Sequence, residues 1–362
     1  MDTILLGAGP MRLHPEVADA LAAPMLHHTS LAFNRIYSET VELLQRIYRT
    51  RNMVLIFPGS GTGANEAIAV NTFSPGDKVI ICNGGFYGER FRLICEAYKL
   101  NIVNLKIPHG DPTLPETVEE ALKAHPDAKG VVIIHVETTT GAVSPIREIS
   151  AAVRKIIPGA LVIVDAVASL GGVEIKTDEW DLDLVSSAPQ KALMGAPGLS
   201  LVSVSDRAWA RVETSTMPRY FFDFKRNREA AAKLHAVTPA VSLVVALHKA
   251  LSLLLSEDLE AIYARHIGYR DFVLGRLRAE GFRQMAKPGY EAPTVSAAFC
   301  PSGVSAIQVV DGMEEKRGVK ICTGLGQDLD KYIRIGHMGY VSMSDLERAV
   351  TALVAEIESM KR

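Results

Sequence analysis

The sequence predicts an α/β fold: a mainly parallel seven-stranded sheet, followed by a smaller C-terminal α+β domain. Between residues 50 and 205, short apolar runs alternate with helical stretches. The runs are nearly continuous in Val, Ile and Leu, as expected of strands covered on both faces. After Thr238-Pro239 the rhythm changes to a long helical stretch, then short strand-like runs and an amphipathic terminal helix.

In order, the seven runs are MVLIFPG (53–59), KVIICNG (78–84), NIVNLKI (101–107), GVVIIHVE (130–137), LVIVDAV (161–167), DLVSSA (183–188) and LSLVSVS (199–205). Stretches such as ERFRLICEAYKL and TVEEALKAH are amphipathic and fit the intervening helices. One helical stretch is expected from about Val241 to Glu280, serving as the connector. The runs TVSAAFC, VKICTG and YIRIGHM and the helix SDLERAVTALVAEIESM complete the second domain. The expected division is residues 1–15 as an N-terminal segment contributing to the active site, 16–240 as the large domain, and 241–362 as connecting helix and small domain. Ligands of such sheets sit at the carboxyl ends of the strands.

Composition narrows the function classes. The net charge is −2 with signs mixed along the chain, so no basic stripe speaks for nucleic acid or a membrane surface. The most apolar stretch, LVVALHKALSLLL (243–255), is shorter than the ~20 residues a bilayer requires and contains His248 and Lys249. The start, MDTILLGAGP, has no basic region and no long apolar core, unlike a secretory signal. The cysteines Cys82, Cys95, Cys300 and Cys322 form no CxxC pair, which fits reduced thiols in a cytoplasmic enzyme. No metal site is expected, since the adjacent pair His27-His28 is a poor chelate by itself.

Three segments carry chemistry. In FPGSGTGANEAIAVNTF an apolar strand ends at Phe57, and a helix is expected from about Asn65 after the turn GSGTGA. Glycines let the backbone approach an anion, and freed helix N–H groups hold it, with Ser60 and Thr62 adding hydroxyls. The turn is either such a phosphate cup or a bare Gly-rich connection. Its spacing is GxGxG, so it is not the dinucleotide fingerprint, and no Lys-Ser/Thr follows to make a Walker loop. In LVIVDAVASLGG, Asp165 ends a buried strand, where a carboxylate needs a partner or a capping duty. A protonated pyridine nitrogen is one such partner. In DLVSSAPQKALMGAPG, Lys191 follows a short strand in a stretch with few other charges. It is either a solvated surface lysine or a desolvated, weakly basic amine fit for carbonyl chemistry. Cup, strand-end Asp and strand-end Lys along one parallel sheet can together surround a single pyridoxal 5′-phosphate (PLP).

These segments, with HVETTTGAVSPI, VDAVASLGG, SAPQKAL and RIGHMG in that order, resemble the class V aminotransferases of PLP fold type I. That group contains alanine–glyoxylate, serine–pyruvate and 2-aminoethylphosphonate aminotransferases, and the resemblance runs from GAGP near the start to RIGHMG. It implies that Ser60, Gly61 and Thr62 bind the cofactor phosphate with Gln190. It implies that Tyr87 stacks on the pyridine ring, with Phe86 the alternative because GGFYG is one residue longer than the usual form. Thr138 is implied as the donor to the phenolic oxygen, Asp165 as the partner of the ring nitrogen, and Val167 as the packing on the opposite ring face. Lys191 is implied as the Schiff-base lysine and 1,3-proton shuttle, and Arg334 as the fork for the substrate carboxylate. Gly9 falls in the segment lining the substrate site. His235 and Thr238 match a segment that reaches the phosphate of a neighbouring subunit, so a homodimer with shared active sites is implied.

The implied reaction is ping-pong transamination from a small amino acid, alanine or serine, to glyoxylate, pyruvate or a related 2-oxo acid. Aspartate or 2-aminoethylphosphonate is the alternative donor, with Arg12 or Arg35 as candidate second anion contacts. A cysteine desulfurase or lyase of the same superfamily needs a mobile nucleophilic cysteine, and Cys322 lies in a strand-like run. A non-catalytic binding protein would have no chemical use for Lys191, Asp165 and Arg334 together. Departures from the family pattern, GAGP for TPGP and SSAPQK for SGSQK, touch substrate preference rather than a catalytic group.

Overall fold

The structure is a computed structural model that describes residues 3–230 and 236–360. Its main sheet has seven strands in the order Met53–Pro58, Leu199–Val204, Leu184–Ser187, Leu161–Asp165, Gly130–Ile134, Lys78–Asn83 and Asn101–Lys106. Five neighbouring strands, from Leu184–Ser187 to Asn101–Lys106, pair in parallel. Leu199–Val204 runs against both of its neighbours. The expected mainly parallel sheet is therefore present, with one strand reversed.

Both faces are covered, which is why the runs read as continuously apolar. Side chains alternate faces with period two. Val162 and Val164 enter one apolar cluster, while Leu161 and Ile163 enter the other. The register sets Asp165 beside Ile134 on one flank and Ser186 on the other, so three strands end at one level. That level is the floor of the site.

Three local expectations need correction. The helix expected from about Asn65 spans Gly61–Thr72, with Ser60 as its N-cap accepting from Gly63 N at 3.2 Å. Gly61 and Gly63 are poor helix formers and disguised the first turn as a loop. The run GVVIIHVE breaks after Ile134, and Val136–Glu137 instead pairs with Ala142–Val143 in a small hairpin. The single helix expected over 241–280 is two helices, Val241–Leu254 and Leu259–Ala279. Asp258 caps the second through Ala261 N, so the polar Ser256-Glu257-Asp258 is a start signal rather than a helix interior. Val241, Val244, Leu247 and Leu251 sit in the large apolar cluster beneath the main sheet, whereas Tyr269, Val273 and Leu277 belong to the core of the second sheet. Leu259–Ala279 is thus the helix that joins the two cores.

The second sheet is antiparallel, in the order Arg283–Gln284, Val295–Phe299, Tyr332–Gly336 and Cys322–Thr323. The N-terminal strand Ile4–Leu5 pairs in parallel with Val319–Lys320. Gly336 N then donates to Leu6 O at 2.7 Å, and Met11 N donates to Gln190 O at 3.0 Å. The chain's first residues therefore bridge the second sheet and the loop that carries Lys191. Among the described residues no helix is long and apolar enough to cross a membrane.

Candidate active site

At the carboxyl ends of the main sheet lies a cleft of about 260 Å³ lined by two groups of residues. Gly9, Ser60, Gly61, Thr62, Tyr87, Asp165, Val167, Gln190 and Lys191 were expected there, and the structure brings them together. Pro10, Asn65, Arg90 and Pro197 complete the wall.

Asp165 is buried at the end of its strand and accepts two hydrogen bonds, from Asn65 Nδ2 at 2.7 Å and Val167 N at 3.0 Å. Asn65 is oriented by Ser186, whose hydroxyl donates to Asn65 Oδ1 at 2.6 Å. Burial pushes the carboxyl above its usual range, while Asn65, Val167, Lys191 and Arg90 pull it back down. Both contacts are donors, so the geometry favours the anion, and an anion at this depth favours a proton-bearing partner.

Lys191 is 8% exposed, and its Nζ donates to Ala8 O. Burial lowers its pKa to about 8; Cys322 and Asp165 raise it, and the like charge of Arg334 lowers it further. The solvated alternative is therefore wrong for this lysine. Gly9 packs so closely that a Cβ there would fall on the Lys191 side chain.

The anion end is the first turn of Gly61–Thr72. Its leading N–H groups have no carbonyl four residues back within the helix, and Ser60, Gly61 and Thr62 line the cleft. A side chain at Gly61 would meet Val167 Cγ2 at 2.6 Å, so the glycine lets the helix N-terminus pack directly against Val167. Gln190 Oε1 is buried without a partner, as is Thr138 Oγ1. Buried groups of this kind are ordinarily bonded, so among the described residues both have hydrogen-bonding capacity to spare; Gln190 lines the cleft, whereas Thr138 is not among its lining residues.

Of the two candidate aromatics, Tyr87 lines the cleft and Phe86 is 41% exposed. The Arg90 guanidinium lies 4.7 Å from the Phe86 ring and 5.2 Å from the Tyr87 ring, and donates to Thr62 Oγ1 at 3.3 Å. Arg90 thus sets a positive charge beside the helix N-terminus.

Other expected residues lie outside the lining. Arg334 is buried on Tyr332–Gly336, its Nε donating to Thr323 O at 2.9 Å, near enough to Lys191 to depress its basicity. Cys322 pairs in register with Arg334 on a fixed strand, not on a mobile loop. Thr238 lines a different cleft with Met25, Leu26, His27 and His28, and His235 lies outside the described residues. Arg12 is bound to Asp345 at 3.0 Å and stacks on Tyr340, while Arg35 pairs with Glu39 on the surface. Neither Arg12 nor Arg35 enters the cleft. His135 is a satisfied core histidine, bonded to Ser169 at 2.9 Å and pushed by burial to about 3.

Sequence reasoning missed Asn65 and Arg90. Asn65 lies one helical turn beyond Gly61, on the same face, so a correct helix start would have exposed it. Arg90 stands three residues past Tyr87 on the helix Phe86–Ala97, a spacing that puts both on one side.

A desolvated lysine beside an aspartate, at a helix N-terminus built for an anion, defines a site for carbonyl chemistry on a phosphorylated cofactor. The family model described as Aminotransferase class-V matches residues 13–348. The chain belongs to the class-V aminotransferases, and it is a PLP-dependent transaminase. It is 35% identical to a protein named soluble hydrogenase, small subunit, from Synechococcus sp., over 99% of this chain and 93% of that one. It is 33% identical to the L-aspartate–glyoxylate aminotransferase of Paracoccus denitrificans, over 91% and 85% of the two chains. The crystal structure of an alanine–glyoxylate aminotransferase from Nostoc sp. superposes with a TM-score of 0.94 at 29% identity, covering 99% of this chain and 96% of that one.

Proposed function

We propose that this transaminase moves the amino group of a small amino acid, alanine or serine, to glyoxylate, pyruvate or a related 2-oxo acid by a ping-pong route. The observation that carries the reading is Lys191, a buried amine with a pKa of about 8, in one cleft with Asp165 and the Gly61–Thr72 N-terminus. Relatives named as L-aspartate–glyoxylate, serine–glyoxylate and alanine–glyoxylate aminotransferases support the acceptor class. A small donor is supported by Arg12 and Arg35, both of which are engaged elsewhere.

The residues present fit PLP. The orphaned Thr138 hydroxyl suits a phenolic oxygen, and the cleft lined by Ser60, Gly61, Thr62, Tyr87, Asp165, Val167 and Lys191 joins a helix N-terminus for a phosphate to an aromatic wall and a carboxylate for a pyridine ring. Ser60, Gly61 and Thr62, with Gln190 and Arg90, would hold the phosphate through backbone and side-chain donors. Tyr87 and Val167 would flank the ring, and Thr138 would donate to its phenolic oxygen. Asp165, whose carboxylate accepts from Asn65 Nδ2 and Val167 N, would pair with the protonated ring nitrogen. When bound, PLP supplies an electron sink for charge developing at the donor Cα. Lys191 Nζ anchors the cofactor, then as a free neutral amine takes the proton from the donor Cα and returns it on the other side of the shuttle. Arg334 binds the donor carboxylate and orients the Cα bond toward Nζ.

The site is completed by a second copy in this reading. Thr238 and the segment 25–28 share an open cleft, and Met25 and Leu31 are 72% and 87% exposed, apolar surface expected to be covered in a dimer. His235 and Thr238 would then reach the neighbour's phosphate. In this reading residues 1–15 contribute to the active site and 16–240 form the large domain, while within 241–362 the helix Val241–Leu254 packs on the large domain's core and the remainder forms the connecting helix and small domain. All four cysteines are free, which supports a reducing, cytoplasmic setting.

The test is the absorbance spectrum of the purified protein with PLP, before and after single amino acids. A visible band that alanine or serine converts to a near-ultraviolet one supports the reading and names the donor. Conversion by aspartate alone refutes the small-donor assignment in favour of an acidic donor, and no visible band at all refutes the reading.

A further inference from the structure

The helix Phe86–Ala97 carries Tyr87 and Arg90 to the cleft, yet it supplies no cap of its own. Its N-cap is Gly85, which makes no side-chain hydrogen bond. The leading N–H groups of a helix need acceptors, and ordinarily a Ser, Thr, Asp or Asn at the N-cap provides one. Here the acceptor comes from 50 residues along the chain. Glu137 Oε2 accepts from Tyr87 N at 3.1 Å and from Gly88 N at 3.4 Å. Phe86 N donates to Thr139 Oγ1 at 3.2 Å, and that hydroxyl donates onward to Glu137 Oε1, which also accepts from Thr139 N at 3.0 Å.

We propose that Glu137 is a positioning residue of the active site: its buried carboxylate is the tertiary N-cap that fixes the Tyr87–Arg90 wall over the cofactor cleft. The inference rests on the PLP reading above. Glu137 is 5% exposed, and all of its hydrogen-bond partners are donors, so it has no other evident duty. Burial pushes its carboxyl above the usual range, and the four donors draw it back. A carboxylate at a helix N-terminus also meets the positive end of the dipole.

The glycine before the helix is part of the same device. A Cβ on Gly85 would lie 2.6 Å from Glu137 Cδ and 2.7 Å from Cγ, so only glycine lets the carboxylate reach the helix. The adjacent Thr138 carries the orphaned hydroxyl that the PLP reading assigns to the phenolic oxygen. One short segment, 137–139, therefore places two features of the site at once: the donor on Thr138 and, through Glu137 and Thr139, the wall that bears Tyr87.

The experiment compares wild type with Glu137→Gln, Thr139→Val and Gly85→Ala in full-length protein. Hydrogen exchange at Phe86, Tyr87 and Gly88, PLP dissociation constant and visible circular dichroism of bound PLP are measured. The first readout needs no cofactor. The expected result for Glu137→Gln is at least tenfold faster exchange of the first-turn amides, PLP binding roughly tenfold weaker and a diminished visible dichroic band. In a Tyr87→Ala background, the effect of Glu137→Gln on PLP affinity should shrink, because the residue acts through that wall. Faster exchange with unchanged affinity and dichroism overturns the proposal and leaves Glu137 a structural cap. Unchanged exchange overturns it outright. If Glu137→Gln fails to fold, Thr139→Val and Gly85→Ala read the same quantities. If wild type itself takes up no PLP, the PLP reading falls, whereas a wild type that binds PLP with variants that bind equally well sinks only the role of Glu137.

Discussion

At pH 7 an amine with a pKa of about 8 is roughly one-tenth neutral, whereas an ordinary lysine near 10.5 is neutral at about three parts in ten thousand. Lys191 should therefore capture PLP some 300-fold faster at neutral pH than a solvated lysine of equal reactivity. The assay is rapid mixing of apoprotein with PLP between pH 6 and 9.5, following the visible band. The rate should climb through a midpoint near 8 and level off above it. A rate that rises tenfold per pH unit across the whole range would show an ordinary lysine and refute the burial argument. The same depression has a stability consequence of definite sign. The fold disfavours the charged amine, so Lys191 lowers the stability of the apoprotein below pH 8, and that cost fades as pH rises from 8 toward 10.5. Lys191→Met should accordingly be more stable than wild type at pH 6–7, by up to about 3 kcal/mol, with the two converging at high pH. Calorimetry of both apoproteins across pH checks this, and Lys191→Met should form no visible band with PLP.

Arg334→Lys keeps the charge but loses the planar fork, and kcat/KM for the amino donor should fall about 10- to 100-fold with PLP affinity unchanged, read by steady-state kinetics and a cofactor titration. Asp165→Asn preserves shape and removes the anion. PLP should still bind covalently while turnover drops by roughly 100- to 1,000-fold, seen by comparing the spectrum with single-turnover rates. Gly61→Val places a Cβ 2.6 Å from Val167 Cγ2. The protein should fold, since the cleft mouth can open, but its PLP dissociation constant should rise by about tenfold or more, measured by equilibrium dialysis.

The parallel sheet was legible because its strands are buried on both faces, and burial writes itself as unbroken runs such as GVVII and LVIVD. The reversal of Leu199–Val204 was not, because hydrophobic patterning carries no direction. The helix start at Gly61 was hidden because function needs glycine where propensity prefers almost anything else, and the same error hid Asn65. Lys191 looked ambiguous in isolation, since its basicity is set by Ala8, Gly9, Cys322 and Arg334, which are remote in the chain. Thr138 and Gln190 were found only through family resemblance, because nothing in their local sequence marks a buried polar atom.

The two motifs nearest the chain ends, GAGP and RIGHMG, are one structural unit. Gly336 approaches Gly7 so closely that a Cβ would collide with the Gly7 carbonyl, and Gly336 N donates to Leu6 O at 2.7 Å. Gly339 lies against the Lys191 carbonyl on the other side, where a Cβ would stand 2.9 Å from that oxygen. The second sheet thereby presses the N-terminal segment onto the lysine, and the segment answers with the Ala8 carbonyl and the bare face of Gly9. The Ala8 carbonyl, Gly9 and Gly339 thus help to bury Lys191, and burial is the largest cause of its lowered pKa. Arg334, the proposed contact for the substrate carboxylate, stands on the same strand as Gly336. On that proposal one element bears on both substrate recognition and lysine basicity, so a shift of the second sheet should change both together rather than either alone.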